Sequence, residues 1–178
     1  MDALTHLFLP MTAVYVLRTD LFADAPWLLG LAGFGLLPDF DKFLGVPGLL
    51  HSLVTLVPVG LAVLGVEYAL RRDLVVGPVV VALVFSHLVL DVVDGGPVPL
   101  LFPFVEGGLG LEYPVRTVFG EGPLGVSFEG PLVTLREATP RPGFNTYGFL
   151  GGAGVSSALL FLTVYLGDRL GARGGGTS

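Results

Sequence analysis

Phe85-Ser86-His87-Leu88-Val89-Leu90-Asp91-Val92-Val93-Asp94-Gly95-Gly96-Pro97 closes an apolar run that carries no charge from Leu74 onward. On a helix, His87 and Asp91 stand four residues apart and Asp94 three further on, so the three share one face. A polar face at the end of a helix apolar enough for lipid is costly, and such positions mark functional sites. Reading this run as lipid-embedded decides the fold, and the rest of the chain is read by what it brings to meet the face.

The whole composition supports that reading. Of 178 residues, 52% are hydrophobic and 13% charged, against the roughly one quarter charged in soluble domains. Mean hydropathy is +0.80. With no cysteine, disulfides, thiolate metal sites and cysteine nucleophiles are excluded. A net charge of -6 with nine basic residues argues against nucleic acid as a partner. Asp2 stands where a secretory signal would carry Lys or Arg, so no cleaved signal peptide is expected.

Working outward, apolar runs predict an all-α integral membrane protein of about five transmembrane helices, over 4–18, 26–38, 49–71, 74–93 and 147–167. The third and fourth runs have full spanning length. The first two are short, and the second contains Trp27 and several glycines suited to close helix packing. Between the fourth and fifth runs, 95–146 reads as an extramembrane loop, partly extended around Tyr113–Phe119 and Leu132–Leu135, with a small hairpin and a re-entrant turn near 98–105. Residues 1–170 form one membrane domain, and the Gly-rich 171–178 reads as a disordered tail.

Five crossings place His6, Asp39, Asp41, His51, His87, Asp91 and Asp94 on one side of the membrane. These include all three histidines of the chain. The opposite side collects Arg18, Arg71, Arg72, Asp73 and Arg169. Polar residues that only decorated helix ends would divide between the two sides. Imidazole nitrogens with carboxylate oxygens suit a divalent ion of borderline character, zinc first with manganese or iron as alternatives, better than calcium or magnesium. The six candidate ligands, His6, Asp39, Asp41, His51, His87 and Asp91, can serve one ion or two. Asp94 is the candidate general base, or a partner orienting a ligand histidine. Ser52 and Ser86 read as packing or supporting hydroxyls.

Four motifs in order, Gly35-Leu36-Leu37-Pro38-Asp39-Phe40-Asp41, His51-Ser52, Ser86-His87 through Asp91, and Leu101-Phe102-Pro103-Phe104, resemble the YdjM-like family, as does the early Thr5-His6 pair. The likeness covers roughly 3–104. Members are described as membrane-bound metal-dependent hydrolases, so the resemblance implies a plasma-membrane protein with a metal site on these His and Asp positions. Where the family often carries a His-Arg pair before His-Ser, 43–50 here has neither residue.

The expected activity is metal-assisted hydrolysis at the membrane interface, with membrane lipids as neighbours and a lipid-derived phosphoester as substrate. Proton or metal-ion transport is the rival class, and predicts polar residues continuing across the membrane; the midsections of the third and fourth runs have almost none. A metal site that only fastens helices is the other rival, and predicts a fully ligated ion. The short loops on the side opposite the site hold the denser positive charge, so the site is expected to face away from the cytoplasm.

Overall fold

The computed structural model describes residues 2–113, 115–118, 125–128, 130–138 and 148–174. Its elements run α1 (Ala3–Leu17), α2 (Thr19–Asp24), a 3₁₀ helix (Pro26–Asp39), α3 (Phe40–Phe43), α4 (Leu53–Arg71), α5 (Gly77–Val93), β1 (Gly107–Leu111), β2 (Val115–Val118), β3 (Gly125–Phe128), β4 (Val133–Glu137) and α6 (Gly152–Gly174). Helices dominate, and α4 is the one helix among the described residues long and apolar enough by itself to cross a membrane. α1 and α5 are apolar but shorter.

α5 is the central element. It packs on the 3₁₀ helix, α1 and α4, while α1 packs on α6 and the 3₁₀ helix. Two apolar clusters share α5. Val79 and Leu83 join Met11, Tyr15, Phe22, Leu28 and Phe161, whereas Val80, Val84 and Leu88 join Leu56 and Val98. Positions 79, 83, 87 and 91 are successive members of one ridge four residues apart, so the row that packs the core delivers His87 and Asp91 at its end.

The second apolar run departs from expectation. It is a 14-residue 3₁₀ helix rather than an α-helix. At about 2.0 Å per residue such a segment reaches about 28 Å, near hydrocarbon thickness, where an α-helix of that length reaches only about 21 Å. Side chains three apart eclipse in this geometry. The sequence tolerates it because Trp27 is followed in its row by Gly30 and Gly33, and Leu29 by Ala32 and Gly35.

Helix starts also differ from the apolar pattern, for identifiable reasons. α4 begins at Leu53, not 49, because the Ser52 side chain caps it by accepting from Val54 N at 3.1 Å. α5 begins at Gly77, not 74. The Glu67 carboxylate of α4 accepts from Val75, Val76 and Gly77 N, filling donors that a helix start leaves open. α6 begins at Gly152, and Tyr147 lies outside the described residues. Asp2 ties its start to that of α1, accepting from Thr5 N and Gly154 N. α6 continues to Gly174, so 171–174 are helical and not tail; 175–178 lie outside the described residues.

The all-α expectation needs amending between α5 and α6. β1 pairs antiparallel with β4, and β2 with β3, as two two-stranded sheets. β1, Gly-Gly-Leu-Gly-Leu, carries no ordinary strand signal. Its glycines answer to space: a Cβ on Gly108 would strike Ala138 and the Pro97 backbone, and one on Gly110 would press on the Gly95 and Gly96 carbonyls. β1 therefore lies flat against the turn that follows α5. The 98–105 stretch folds as turns held to the start of α4, with Ser52 Oγ donating to the carbonyls of Leu100 and Phe102.

Candidate metal centre

The start of α1, the end of the 3₁₀ helix with α3, the turn before α4 and the last turns of α5 meet at one point. Gly35 permits the meeting. A Cβ there would fall well inside van der Waals contact with the backbone oxygen of His6. Its carbonyl is 2.7 Å from His87 Nδ1. A carbonyl only accepts, so His87 Nδ1 carries the proton and donates, leaving Nε2 to point at the cluster.

Five side chains converge there. His6 Nε2 lies 3.2 Å from Asp91 Oδ1, and His87 Nε2 lies 3.3 Å from Asp91 Oδ2. His51 Nε2 is 3.6 Å from both Asp39 Oδ1 and Asp91 Oδ2, and His87 Nε2 is 3.7 Å from Asp39 Oδ1. The His6 and His87 rings stack at 3.9 Å, with His51 edge-on to His87 at 5.2 Å. His6 and His87 are each 1% exposed, and Asp91 is the open member at 22%.

Two groups within this cluster offer ligand atoms all within 4.8 Å of one another: His6, His87 and Asp91, and Asp39, His51 and His87. Donors about 2.0 Å from a tetrahedral ion stand about 3.3 Å apart, the separation seen around Asp91. His87 Nε2 is buried and has no hydrogen-bond partner among the described residues. An imidazole lone pair facing carboxylates repels them, and a shared cation turns that repulsion into coordination. The residues present therefore fit a divalent cation.

Asp41 stands behind this cluster. It is fully buried, and its Oδ2 accepts from Gly48 N at 2.8 Å, Leu50 N at 3.1 Å and His51 Nδ1 at 2.9 Å. Gly45 and Gly48 take positive φ of 72° and 90°, which lets the loop curl round that carboxylate. Asp41, one of the expected ligands, belongs to neither group of ligand atoms, and its contact with His51 Nδ1 fixes the ring plane and tautomer of His51. Burial alone would lower His51, but the carboxylates of Asp39 and Asp41 on its two ring nitrogens prevail and push it up to about 9. An ion held through Nε2 at neutral pH would accordingly displace a proton from His51.

Asp41→Asn is expected to weaken zinc binding by about 10- to 100-fold, the usual cost of losing a partner that orients a ligand histidine. Calorimetric zinc titration of the detergent-solubilised protein checks it. Unchanged affinity would leave Asp41 with a purely structural part.

Asp94 ends α5, its N–H bonded to the Leu90 carbonyl. It lines a cavity of about 330 Å³ together with Lys42, His51, Asp91 and Ala138. Ala138 follows β4, so the end of that strand reaches the opening. Lys42 was not among the expected site residues. Its ammonium bonds Asp39 Oδ1, the oxygen that faces His51 and His87. Its signal was available: it is the sole lysine of the chain, adjacent to Asp41.

No curated protein and no solved structure matches the chain. The family described as YdjM inner membrane protein matches it over residues 1–170, which covers the whole His/Asp cluster and every helix but the last four residues of α6. The chain therefore belongs to the YdjM inner membrane protein family.

Proposed function

We propose that this protein is a multi-pass, metal-dependent hydrolase that cleaves a lipid-derived phosphoester at the membrane interface. The observation that carries the reading is the convergence of His6, His51, His87, Asp39 and Asp91 at ligand separations beside an open cavity. A merely fastening ion would be closed in by protein ligands, whereas Asp91 and His51 line space that a water and a substrate can enter.

The crossings run through α1, the 3₁₀ helix, α4, α5 and α6. The site then lies at one membrane face, away from the arginines at 18, 71, 72 and 169, and outside the cytoplasm by the positive-inside rule. Transport is disfavoured by the apolar midsections of α4 and α5, which extend no polar path from the cluster.

A bound divalent ion, zinc first, supplies Lewis acidity and lowers the pKa of a water toward neutrality. The chain's own residues do the rest. His6, His51, His87, Asp39 and Asp91 would hold the ion, Asp41 keeps the His51 nitrogen aimed, and Asp94 at the cavity wall would take the proton from the water as its oxygen bonds phosphorus and the P–O bond to the leaving alcohol breaks.

The test is hydrolysis of phosphatidic acid and of a lipid pyrophosphate by purified protein in mixed micelles, read as phosphate release. Activity should require zinc or manganese, vanish with chelator and fall by about 100-fold or more in Asp94→Asn. A protein that binds metal stoichiometrically yet releases no phosphate from either lipid would sink the hydrolase reading and leave the metal site standing.

A further inference from the structure

Asp39 Oδ1 has two claimants. It belongs to the group Asp39, His51 and His87 that can share an ion. It also accepts from the Lys42 ammonium, one turn on along the same segment. A cation arriving between His51 and His87 meets a positive charge already bonded to the oxygen it needs. Like charges at such separations repel strongly where water is scarce. The lysine side chain is one-third exposed and lines the cavity, so its long stem can swing from Asp39 into that space.

From this geometry we propose that Lys42 is an exchangeable cation. In the metal-free protein it neutralises Asp39; on metal binding it leaves Asp39, turns into the cavity and becomes the anion-binding residue for the substrate's phosphoryl oxygens. The inference rests on the metal reading above and adds how the site admits an anion. The cavity wall otherwise offers an approaching phosphate the carboxylates of Asp91 and Asp94 and the His51 ring, which the ion would engage, so Lys42 is the one ammonium among its described lining. Coupling the two roles to one ammonium makes anion binding conditional on metal binding.

The experiment uses the full chain in detergent, as wild type, Lys42→Met and Lys42→Arg. Zinc is titrated first, then inorganic phosphate is titrated into metal-free and zinc-loaded protein by calorimetry. Lys42→Met keeps the apolar stem and should bind zinc at least about tenfold more tightly, having lost the competing charge. Zinc-loaded wild type should bind phosphate, metal-free wild type should not, and zinc-loaded Lys42→Met should bind it about tenfold more weakly or worse. Lys42→Arg should keep phosphate binding.

Equal phosphate affinity in zinc-loaded wild type and Lys42→Met would overturn the proposal while the metal site survived. So would zinc affinity that is unchanged or weaker in Lys42→Met. Wild type that takes up no zinc would bring down the metal reading, and this proposal with it. A competition arm names the source of the phosphoryl group. Displacement of phosphate by phosphatidic acid in phosphatidylcholine vesicles, and not by phosphatidylcholine alone, assigns a lipid headgroup. Absence of displacement assigns a free phosphate, and Lys42 serves either.

Discussion

His87→Ala is expected to strip the protein of bound metal, lowering zinc affinity by more than about 100-fold, beyond what an outer hydrogen-bond partner costs. His87 is the one residue common to both ligand groups. Its Nε2 faces Asp91 at 3.3 Å and Asp39 at 3.7 Å, so its removal leaves each group with two members. No neighbouring donor can replace it, because His6 already stacks on its ring and its other nitrogen is fixed by the Gly35 carbonyl. Asp91→Ala should behave alike, since its two oxygens face His6 on one side and His51 with His87 on the other. Metal content by mass spectrometry after dialysis, with zinc calorimetry and a circular dichroism check of folding, reads the result. Wild-type metal content in both variants would remove the metal centre altogether.

That His87 and Asp91 could be singled out from sequence, while Asp41 could not be sorted, has a physical cause. Lipid makes charge expensive, so the few polar residues at the ends of apolar runs stand out without any knowledge of tertiary structure. Alternation of run direction, assumed over five crossings, then gathers them, which is why six positions up to 85 residues apart in sequence could be grouped. Whether a given carboxylate faces inward or supports from behind depends on a loop. Residues 44–50 wrap Asp41 through two positive-φ glycines, and no hydrophobic period reports that. The 3₁₀ helix was equally hidden. A run apolar on all sides has no stripe from which to tell a period of 3.0 from one of 3.6. β1 escaped because its glycines are chosen by the backbone they press against, not by strand preference.

The same close approach yields the second large effect. Gly35→Ala is expected to destabilise the protein by about 1–3 kcal/mol or more, the range for forcing extra volume into a packed site. The added methyl meets the backbone oxygen of His6, which has no rotamer to escape into. Relief requires α1 and the 3₁₀ helix to part, and that moves His6 away from Asp91 and the Gly35 carbonyl away from His87. Zinc affinity should therefore fall at least about tenfold although no ligand has been altered, because a misplaced ligand shell binds poorly. Gly33→Ala is the matched control, on the same helix with nothing within 4 Å of its new Cβ. It should stay within about 0.5 kcal/mol of wild type, with zinc binding unchanged. Thermal unfolding in detergent beside zinc titration separates the two. Were Gly35→Ala to bind zinc as wild type does, the contact of α1 with the 3₁₀ helix would not be what aims the histidines. If both glycine variants lost stability equally, the cost would belong to the backbone of the 3₁₀ helix and not to its crossing with α1.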